Sequence, residues 1–371
     1  MNALLADTVA RLFKDLATKE LIEAAEKGAW PQALWRALEE GGLTLPLVPE
    51  AQGGAGGTWA DAHVVVRAAG QYTAPVPLAE TIVGGWLLGR AGLDVPLGPL
   101  TLAPVRREDR LRVSRVGGGW RVSGTAARVP WGARADHVVV VADDGDGADA
   151  PGGGAGAVSG PAGSGNGRSG AIVALVRAGA AGVTADKNLA LEPRDTLVFE
   201  NAPVVAAAPA PGVPANAVRL YGALVRSAQM AGALDGILQQ SVKYVGERRQ
   251  FGRAIGSYQA IQHYLAVMAG HVAAAGIAAE HAFRAADRGD LAFDVAAAKI
   301  RAGEAAGIAA GLGHQVHGAI GFTYEHSLHF WTRRLWSWRA EFGSESAWAE
   351  ELGRAVAARG ADALWSDLTA R

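Results

Sequence analysis

Residues 244–268 contain the side chains whose chemistry is easiest to assign. A helix with charged residues ends at Phe251-Gly252, and a second helix begins a few residues later with Gln259 near its start. Arg248 presents a planar fork of donors that suits a diphosphate better than a lysine ammonium does. By residue type alone, Arg248 could equally be a solvated charge at a helix end, so its role depends on the wider pattern.

A second segment, residues 315–323, lies downstream and begins with a glutamine. In this order the two segments resemble the signature regions of the acyl-CoA dehydrogenase family. The resemblance implies FAD as the cofactor, with contacts that reach across to the FAD of a neighbouring subunit. The FAD-binding residues it implies are Arg248 at the pyrophosphate, Phe251 beside it, Gln259, Gln315, and Gly318 with Ala319 on the adenosine side.

The family's reaction requires a carboxylate base. The resemblance implies that a carboxylate takes the α-proton of an acyl-CoA thioester while the β-hydrogen leaves as hydride to FAD. Counting from Gln315, the usual glutamate position falls on Phe342, and Glu341, one residue earlier, is the candidate base if the loop is shifted. The other base position used in the family falls on Gly222, which has no carboxylate. Glu341 as a structural carboxylate fits the sequence equally well.

The region that contacts the flavin ring in the family departs from the family's pattern. Residues 101–107 contain no Gly-Ser-Asp, and Arg128 and Pro130 stand where the family has Trp and Thr. A proline offers neither a hydroxyl nor an amide donor. Two roles therefore remain open: a self-sufficient homo-oligomeric enzyme that uses Glu341, and a base-poor partner in a heterotetramer whose sister subunit holds the flavin ring.

The resemblance also implies an acyl-CoA substrate, an electron-transfer acceptor and further subunits. A protein that keeps only the fold, as a non-catalytic scaffold or binding protein, is the alternative from a different functional class. The three roles differ in whether this chain supplies a base, a cofactor contact or neither.

Composition and periodicity divide the chain into three regions. Helical spacing predicts an N-terminal helical domain over 1–95, short β-branched runs predict strands over 96–205, and alanine-rich stripes predict helices over 206–371. The resemblance assigns these regions to a mainly α, α+β fold with a small middle β-barrel and a C-terminal four-helix bundle that also mediates oligomerisation. Residues 143–170 are almost wholly Gly, Ala, Ser, Asp and Pro, which predicts a loop between two strands.

Bulk properties exclude several functions. The net charge of −1 gives no electrostatic footprint for nucleic acid, and the Trp/Arg-rich stretch 331–339 is therefore interpreted as a bundle helix. Without cysteine, disulfides and thiolate chemistry are excluded, which fits a cytoplasmic location. No apolar stretch predicts a membrane span. The downstream histidines, His314, His317, His326 and His329, lack the spacing of a metal site, so no metal is predicted.

Overall fold

The computed structural model describes residues 3–142 and 170–370, with helices at both ends and strands between them. The predicted loop over 143–170 lies outside the described residues apart from Gly170. The N-terminal helices are α1 (Ala3–Leu16), α2 (Lys19–Glu26), α3 (Gln32–Glu40), α4 (Trp59–Gln71) and α5 (Leu78–Arg90). The C-terminal helices are α6 (Ala217–Glu247), α7 (Gln259–Arg288), α8 (Ala292–His317), α9 (Leu328–Trp338), α10 (Glu345–Arg359) and α11 (Ala361–Thr369).

The middle region consists of two four-stranded sheets. Its strands are β1 (Leu100–Ala103), β2 (Arg110–Val116), β3 (Gly119–Pro130), β4 (His137–Ala142), β5 (Ala171–Arg177), β6 (Gly182–Thr184), β7 (Arg194–Pro203) and β8 (Ala206–Ala210). One sheet has the order β1-β4-β5-β8 and the other β2-β3-β7-β6. All strand pairs are antiparallel except β1 with β4. Buried valines of β4 and β5 join one continuous core that also includes α4, α5 and α6.

Helix α6 is the central element of the bundle. It is 31 residues long, and its first two-thirds are buried on almost every side. A helix that is apolar all round must be surrounded by other elements. Helices α4, α7, α8 and α9 pack around α6, which therefore joins the N-terminal helices to the C-terminal bundle.

The start of α4 is fixed by carboxylates from two regions. Thr58 and Asp61 form a reciprocal capping box that satisfies the first backbone donors of α4. Asp287, at the end of α7, accepts hydrogen bonds from the backbone N–H groups of Trp59 at 2.8 Å and Ala60 at 3.2 Å. The negative charge of Asp287 also suits a helix N-terminus. The C-terminal end of α7 is therefore held against the N-terminal end of α4.

The crossing of α4 and α6 depends on glycine in both helices. A Cβ added at Gly232 would lie 1.9 Å from the carbonyl oxygen of Arg67, and one added at Gly70 would lie 2.0 Å from that of Gln229. We expect Gly232→Ala to lower the free energy of unfolding by about 1–3 kcal/mol, because the helices would have to separate. Gly246→Ala is the matched control on α6, since nothing lies within 4 Å of its Cβ position. Denaturant unfolding of both variants checks this, and equal destabilisation would contradict the close crossing.

Candidate functional site

The first sequence motif forms a hairpin at the end of α6. After Glu247 the chain enters two short antiparallel strands, β9 (Arg249–Gln250) and β10 (Arg253–Ala254). At the turn between them, Phe251 adopts a left-handed φ of 50° and is 91% exposed. Arg248, just before the hairpin, and Gln259, which begins α7, are also exposed. The three predicted cofactor residues of this motif therefore face outward.

The second motif lies at the same end of the bundle. Gln315 is exposed in the last turn of α8, and the exposed Gly318 and Ala319 begin a 3₁₀ turn over Gly318–Phe322. Tyr244, in the last turn of α6, stacks on His317 with ring centroids 4.5 Å apart. This contact joins the ends of α6 and α8, so the predicted cofactor residues of both motifs lie at one exposed end of the bundle.

The two positions at which the family's base would fall contact each other inside the protein. Phe342, in the loop after α9, has a left-handed φ of 55° and is 3% exposed. A Cβ added at Gly222 would lie 2.2 Å from one carbon of the Phe342 ring and 2.4 Å from the next. A phenyl ring therefore fills the space beside α6 at this point, and neither position has a carboxylate.

Glu341 is buried in an ion network and does not line an open site. Arg194 of β7 donates to both of its carboxylate oxygens, at 2.7 and 3.1 Å. Arg226 of α6 lies 2.9 Å from the second oxygen, and Asn188 donates to the first at 3.3 Å. The carboxylate is thus surrounded by donors from two regions of the chain.

The network extends through Glu192 and Glu80. Glu192 accepts hydrogen bonds from Arg194 at 2.9 Å, from Arg334 at 3.0 Å and from the Trp338 indole at 3.0 Å. On the other side, Arg226 donates to Glu80 of α5 at 2.7 Å. The network contains three arginines and three glutamates, so its formal charges cancel: Arg194, Arg226, Arg334, Glu80, Glu192 and Glu341.

The electrostatics of the network keep Glu341 and Glu192 ionised. Burial by itself raises the pKa of Glu341, but Arg194 and Arg226 outweigh burial and hold the pKa below its usual value. For Glu192, Arg334 and Arg194 likewise overcome burial and lower the pKa to about 2. A general base near neutral pH has a raised pKa and a free lone pair directed at its substrate. Glu341 has neither property, so this geometry argues against it as the base.

A buried lysine fixes the loop that contains Glu341 and Phe342. Lys299 of α8 donates to the carbonyl oxygens of Trp338 at 3.2 Å, Arg339 at 2.7 Å and Gly343 at 2.8 Å. These three bonds use all the ammonium donors and satisfy carbonyls at the end of α9, where a positive charge is favoured by the helix dipole.

The sheet edge beside the network offers few free donors to a flavin ring. Thr101 is fully buried, and its hydroxyl donates to the carbonyl oxygen of Pro130. Pro130 pairs with Arg194 in the β3–β7 ladder, which places the ion network directly against this edge. The described residues therefore fit FAD only in part. The exposed motifs have the residue types to hold a cofactor across a subunit boundary, whereas the Thr101 hydroxyl is engaged and Pro130 has no donor for a flavin ring at this edge.

Sequence reasoning missed the network residues Arg194, Arg226, Arg334 and Glu192 and the buried lysine Lys299. Arg226 offered a signal, because it interrupts the apolar stretch of α6 between Leu224 and Ala228. A charge within an otherwise buried helix face requires a partner, although the sequence does not identify it.

Within 3–142 and 170–370, no three His, Cys, Asp or Glu side chains are grouped so as to hold a metal ion. In the same ranges, α7 is the one helix with the length and apolar composition of a membrane span, with a mean hydropathy of 1.2 over its most apolar window. Only 28% of that window is buried within the chain, although α7 packs on α6 and α8.

Comparisons with known proteins agree over nearly the whole chain. Residues 2–94 match the family model for the acyl-CoA dehydrogenase N-terminal domain, and residues 220–357 match that for the C-terminal domain. The chain is 30% identical over 336 residues to acyl-CoA dehydrogenase IpdE2 of Mycobacterium tuberculosis, which covers 89% of each protein.

Two solved complexes have similar subunits. The ChsE4–ChsE5 complex of Mycobacterium tuberculosis matches with a TM-score of 0.81 and 26% identity, over 94% of this chain and 95% of the other. A variant of the steroid acyl-CoA dehydrogenase Tcur3481–Tcur3483 matches with a TM-score of 0.82 and 26% identity, over 97% and 98%.

The ion network predicts a large effect of changing Glu341. We expect Glu341→Gln to lower the free energy of unfolding at pH 7 by about 3–5 kcal/mol, because it leaves buried arginine charge without a counter-ion. Glu350→Gln is the control, since Glu350 pairs with Arg354 at the surface with both side chains about 60% exposed. That change should cost under about 1 kcal/mol.

The pH dependence of the same variant gives a second measure of the pairing. The pKa of Glu341 is lowered in the folded state, so its contribution is fully present above its ordinary value of 4.5 and is lost as the pH falls through the lower folded pKa. Glu341→Gln should therefore lose less stability than the wild type on acidification below pH 4.5. An equal acid-induced loss in the two proteins would contradict the pairing.

Proposed function

This chain belongs to the acyl-CoA dehydrogenase family, and on that premise we propose that it is the base-poor subunit of a heteromeric FAD-dependent acyl-CoA dehydrogenase. In this role its exposed motifs contact an FAD whose ring is held by a sister chain. The assembly performs the α,β-dehydrogenation of an acyl-CoA thioester, and FAD, when bound, accepts the hydride. The proposal rests on the contact between Phe342 and Gly222.

The two residues in that contact occupy both positions at which the resemblance places a base. A carboxylate at residue 222 would have to enter the space that the Phe342 ring fills, and residue 342 is itself an apolar ring in the interior. Glu341, the remaining candidate, is held between Arg194 and Arg226. We therefore assign Glu341 a structural role and place the base on the sister chain.

The exposed end of the bundle supports cofactor binding across a subunit boundary. Arg248 would meet the pyrophosphate, Phe251 would pack beside it, and Gln259 and Gln315 would supply polar contacts. Gly318 and Ala319 would allow the backbone to approach the adenosine side. Phe251 is 91% exposed at the hairpin tip, so its ring is free to pack beside the pyrophosphate.

The outer face of α7 provides a surface for assembly. Small or apolar residues recur at helical spacing along this face and are exposed: Ala266, Val267, Gly270, Ala273 and Ile277. Val267 is 51% exposed and Ile277 70%, and Ile308 of the neighbouring α8 is 37% exposed. Small residues allow close helix packing, and obligate interfaces resemble a protein core in composition. This face is therefore better suited to packing against a sister subunit than to exposure to water.

The solved relatives extend the proposal to substrate and partners. Tcur3481–Tcur3483 is a steroid acyl-CoA dehydrogenase of two chains, and ChsE4–ChsE5 is likewise a complex. We propose a 2+2 heterotetramer that acts on a steroid-type acyl-CoA in the cytoplasm and passes its electrons to a separate acceptor.

Co-expression tests this function. The chain alone should bind FAD poorly, because the engaged Thr101 hydroxyl and Pro130 offer no donor to the flavin ring. Co-expression with a family member from the same genome that retains the Gly-Ser-Asp element and the glutamate of the loop after α9 should give about one FAD per pair of chains. The visible flavin spectrum, FAD content and light scattering measure these results. One FAD per chain with full activity in the chain alone would instead favour a homo-oligomeric enzyme, and a colourless complex would favour a scaffold.

The pyrophosphate contact can be tested in the co-purified assembly. We expect Arg248→Ala to weaken FAD binding about ten- to a hundredfold, because a charge-assisted contact worth about 1.5–3 kcal/mol is lost. Arg354→Ala, on the exposed part of α10, removes an arginine from a different region and serves as the control. Fluorescence titration of the apo-assembly with FAD gives both affinities. Unchanged affinity in Arg248→Ala would exclude this residue as the pyrophosphate ligand.

A further inference from the structure

Four histidines cluster at the end of the bundle that contains the proposed cofactor residues. His314 and His317 lie in the last turn of α8, and His326 and His329 lie at the start of α9. The rings of His317 and His326 are 4.7 Å apart, and Tyr244 of α6 lies against both. The histidines flank the Gly318–Phe322 turn, which begins with Gly318 and Ala319.

His326 accepts a backbone hydrogen bond that requires a deprotonated ring nitrogen. The N–H of Leu328, the first residue of α9, donates to Nδ1 of His326 at 3.2 Å. A side-chain acceptor at this place satisfies one of the free donors at a helix start. The other nitrogen, Nε2, lies 3.2 Å from the Gln240 side chain of α6. Protonation of Nδ1 would remove the acceptor and place a positive charge at a helix N-terminus, where the helix dipole opposes it.

His317 holds the other side of the turn. It is 3% exposed, its Nδ1 donates to the carbonyl oxygen of Gly313 at 2.7 Å, and its Nε2 is buried without a hydrogen-bond partner. Tyr244 stacks on this ring and also donates from its hydroxyl to the His317 carbonyl oxygen at 3.3 Å. The backbone at the start of the turn is thus fixed by a neutral, stacked imidazole.

The remaining two histidines support the ends of the same segment. His314 stacks on Phe322 with centroids 4.4 Å apart and contacts the Thr332 hydroxyl at 3.3 Å. His329 donates from Nδ1 to the carbonyl oxygen of His326 at 2.8 Å. The segment from α8 to α9 is therefore held mainly by imidazole contacts.

The charged groups around the cluster disfavour protonation. Lys19 of α2 acts on His326 and His329, and Arg333 and Arg334 of α9 act on His329. The nearby carboxylates are engaged elsewhere, Glu23 with Lys19, Glu26 with Arg333 and Glu192 with Arg334. Glu325 is exposed, and its backbone carbonyl accepts from Lys19. From α6 the cluster meets the neutral side chains of Gln240 and Tyr244.

We propose that His326 and His317 are positioning residues that hold the Gly318–Phe322 turn in its cofactor-binding shape while they are neutral, and that acid releases this turn. The link to the cofactor rests on the proposed function, whereas the acid-sensitive positioning concerns this chain alone.

The sign of the effect follows from burial. Burial lowers the pKa values of His314, His317, His326 and His329 in the folded state. An opened segment takes up protons below an ordinary histidine pKa of about 6.5, whereas the closed segment resists them. The closed segment is therefore fully stable relative to the opened one above about pH 6.5. Its stability decreases as the pH falls below that value. Between pH 7.5 and 5.5, local opening should increase about tenfold for each histidine that must stay neutral.

Hydrogen exchange on the full-length chain at pH 7.5 and 5.5 tests the positioning. After correction for intrinsic exchange rates, the 313–330 segment should open about a hundredfold more at pH 5.5, about tenfold for each of His317 and His326, while the first half of α6 should not change. His326→Asn keeps a side-chain acceptor for the Leu328 N–H without titrating in this range, so it should stay closed at pH 7.5 and open only about tenfold more at pH 5.5, the share of His317. His326→Phe lacks the acceptor and should open at both pH values. His263→Asn, on the exposed start of α7, should behave like the wild type.

No acid-induced opening in the wild type, or the same opening in His326→Asn, would overturn the positioning role. A second readout is the rate of FAD release from the co-purified assembly, which should rise at pH 5.5 in the wild type and rise less in His326→Asn. Equal release at both pH values despite opening of the segment would overturn its link to the cofactor. An assembly without FAD even at pH 7.5 would instead count against the proposed function, and the exchange result would stand by itself.

Discussion

A neutral network of six buried charges determines how the three regions of this protein meet. Glu80 comes from the N-terminal helices, Glu192 and Arg194 from the strand region, and Arg226, Arg334 and Glu341 from the C-terminal helices. Leaving any one of these charges unpaired in the interior would cost several kcal/mol, so the regions can pack only where every partner is present. Apolar packing tolerates small shifts, whereas this charge pairing requires one arrangement of sheet and helices.

The network also helps to explain the conformation of the loop after α9, which contains Glu341 and Phe342. Glu341 is held by Arg194 and Arg226, and the next residue, Phe342, packs against Gly222. Lys299 fixes the carbonyls at both ends of the same loop. Three neighbouring interactions thus keep the loop in a closed conformation, although Phe342 is in a left-handed backbone conformation that a non-glycine residue rarely adopts.

The exposed end of the bundle contrasts with this interior. There the chain presents Arg248, Phe251 and Gln315 to solvent, next to an apolar face on α7. Polar groups directed outward beside an uncovered apolar surface are typical of a protein whose site is completed by another chain. The proposed division of labour rests on this contrast, because the proposed binding groups lie at the exposed end while Phe342 and Gly222 pack together inside without a carboxylate.

The sequence by itself determined the order of helical and strand regions, the family and the two cofactor motifs, because these depend on local periodicity and short motifs. It also placed Phe342 and Gly222 at the two positions where the resemblance locates a base, and left Glu341 as the remaining candidate. It did not show that these two residues touch, that Glu341 is engaged by two arginines, or that His326 caps α9 through a neutral nitrogen. Phe342 and Gly222 are 120 residues apart in the chain, and Arg194 and Glu341 are separated by 147. Only the tertiary structure decided these contacts, because pairing and protonation depend on which distant side chains the packed core brings together.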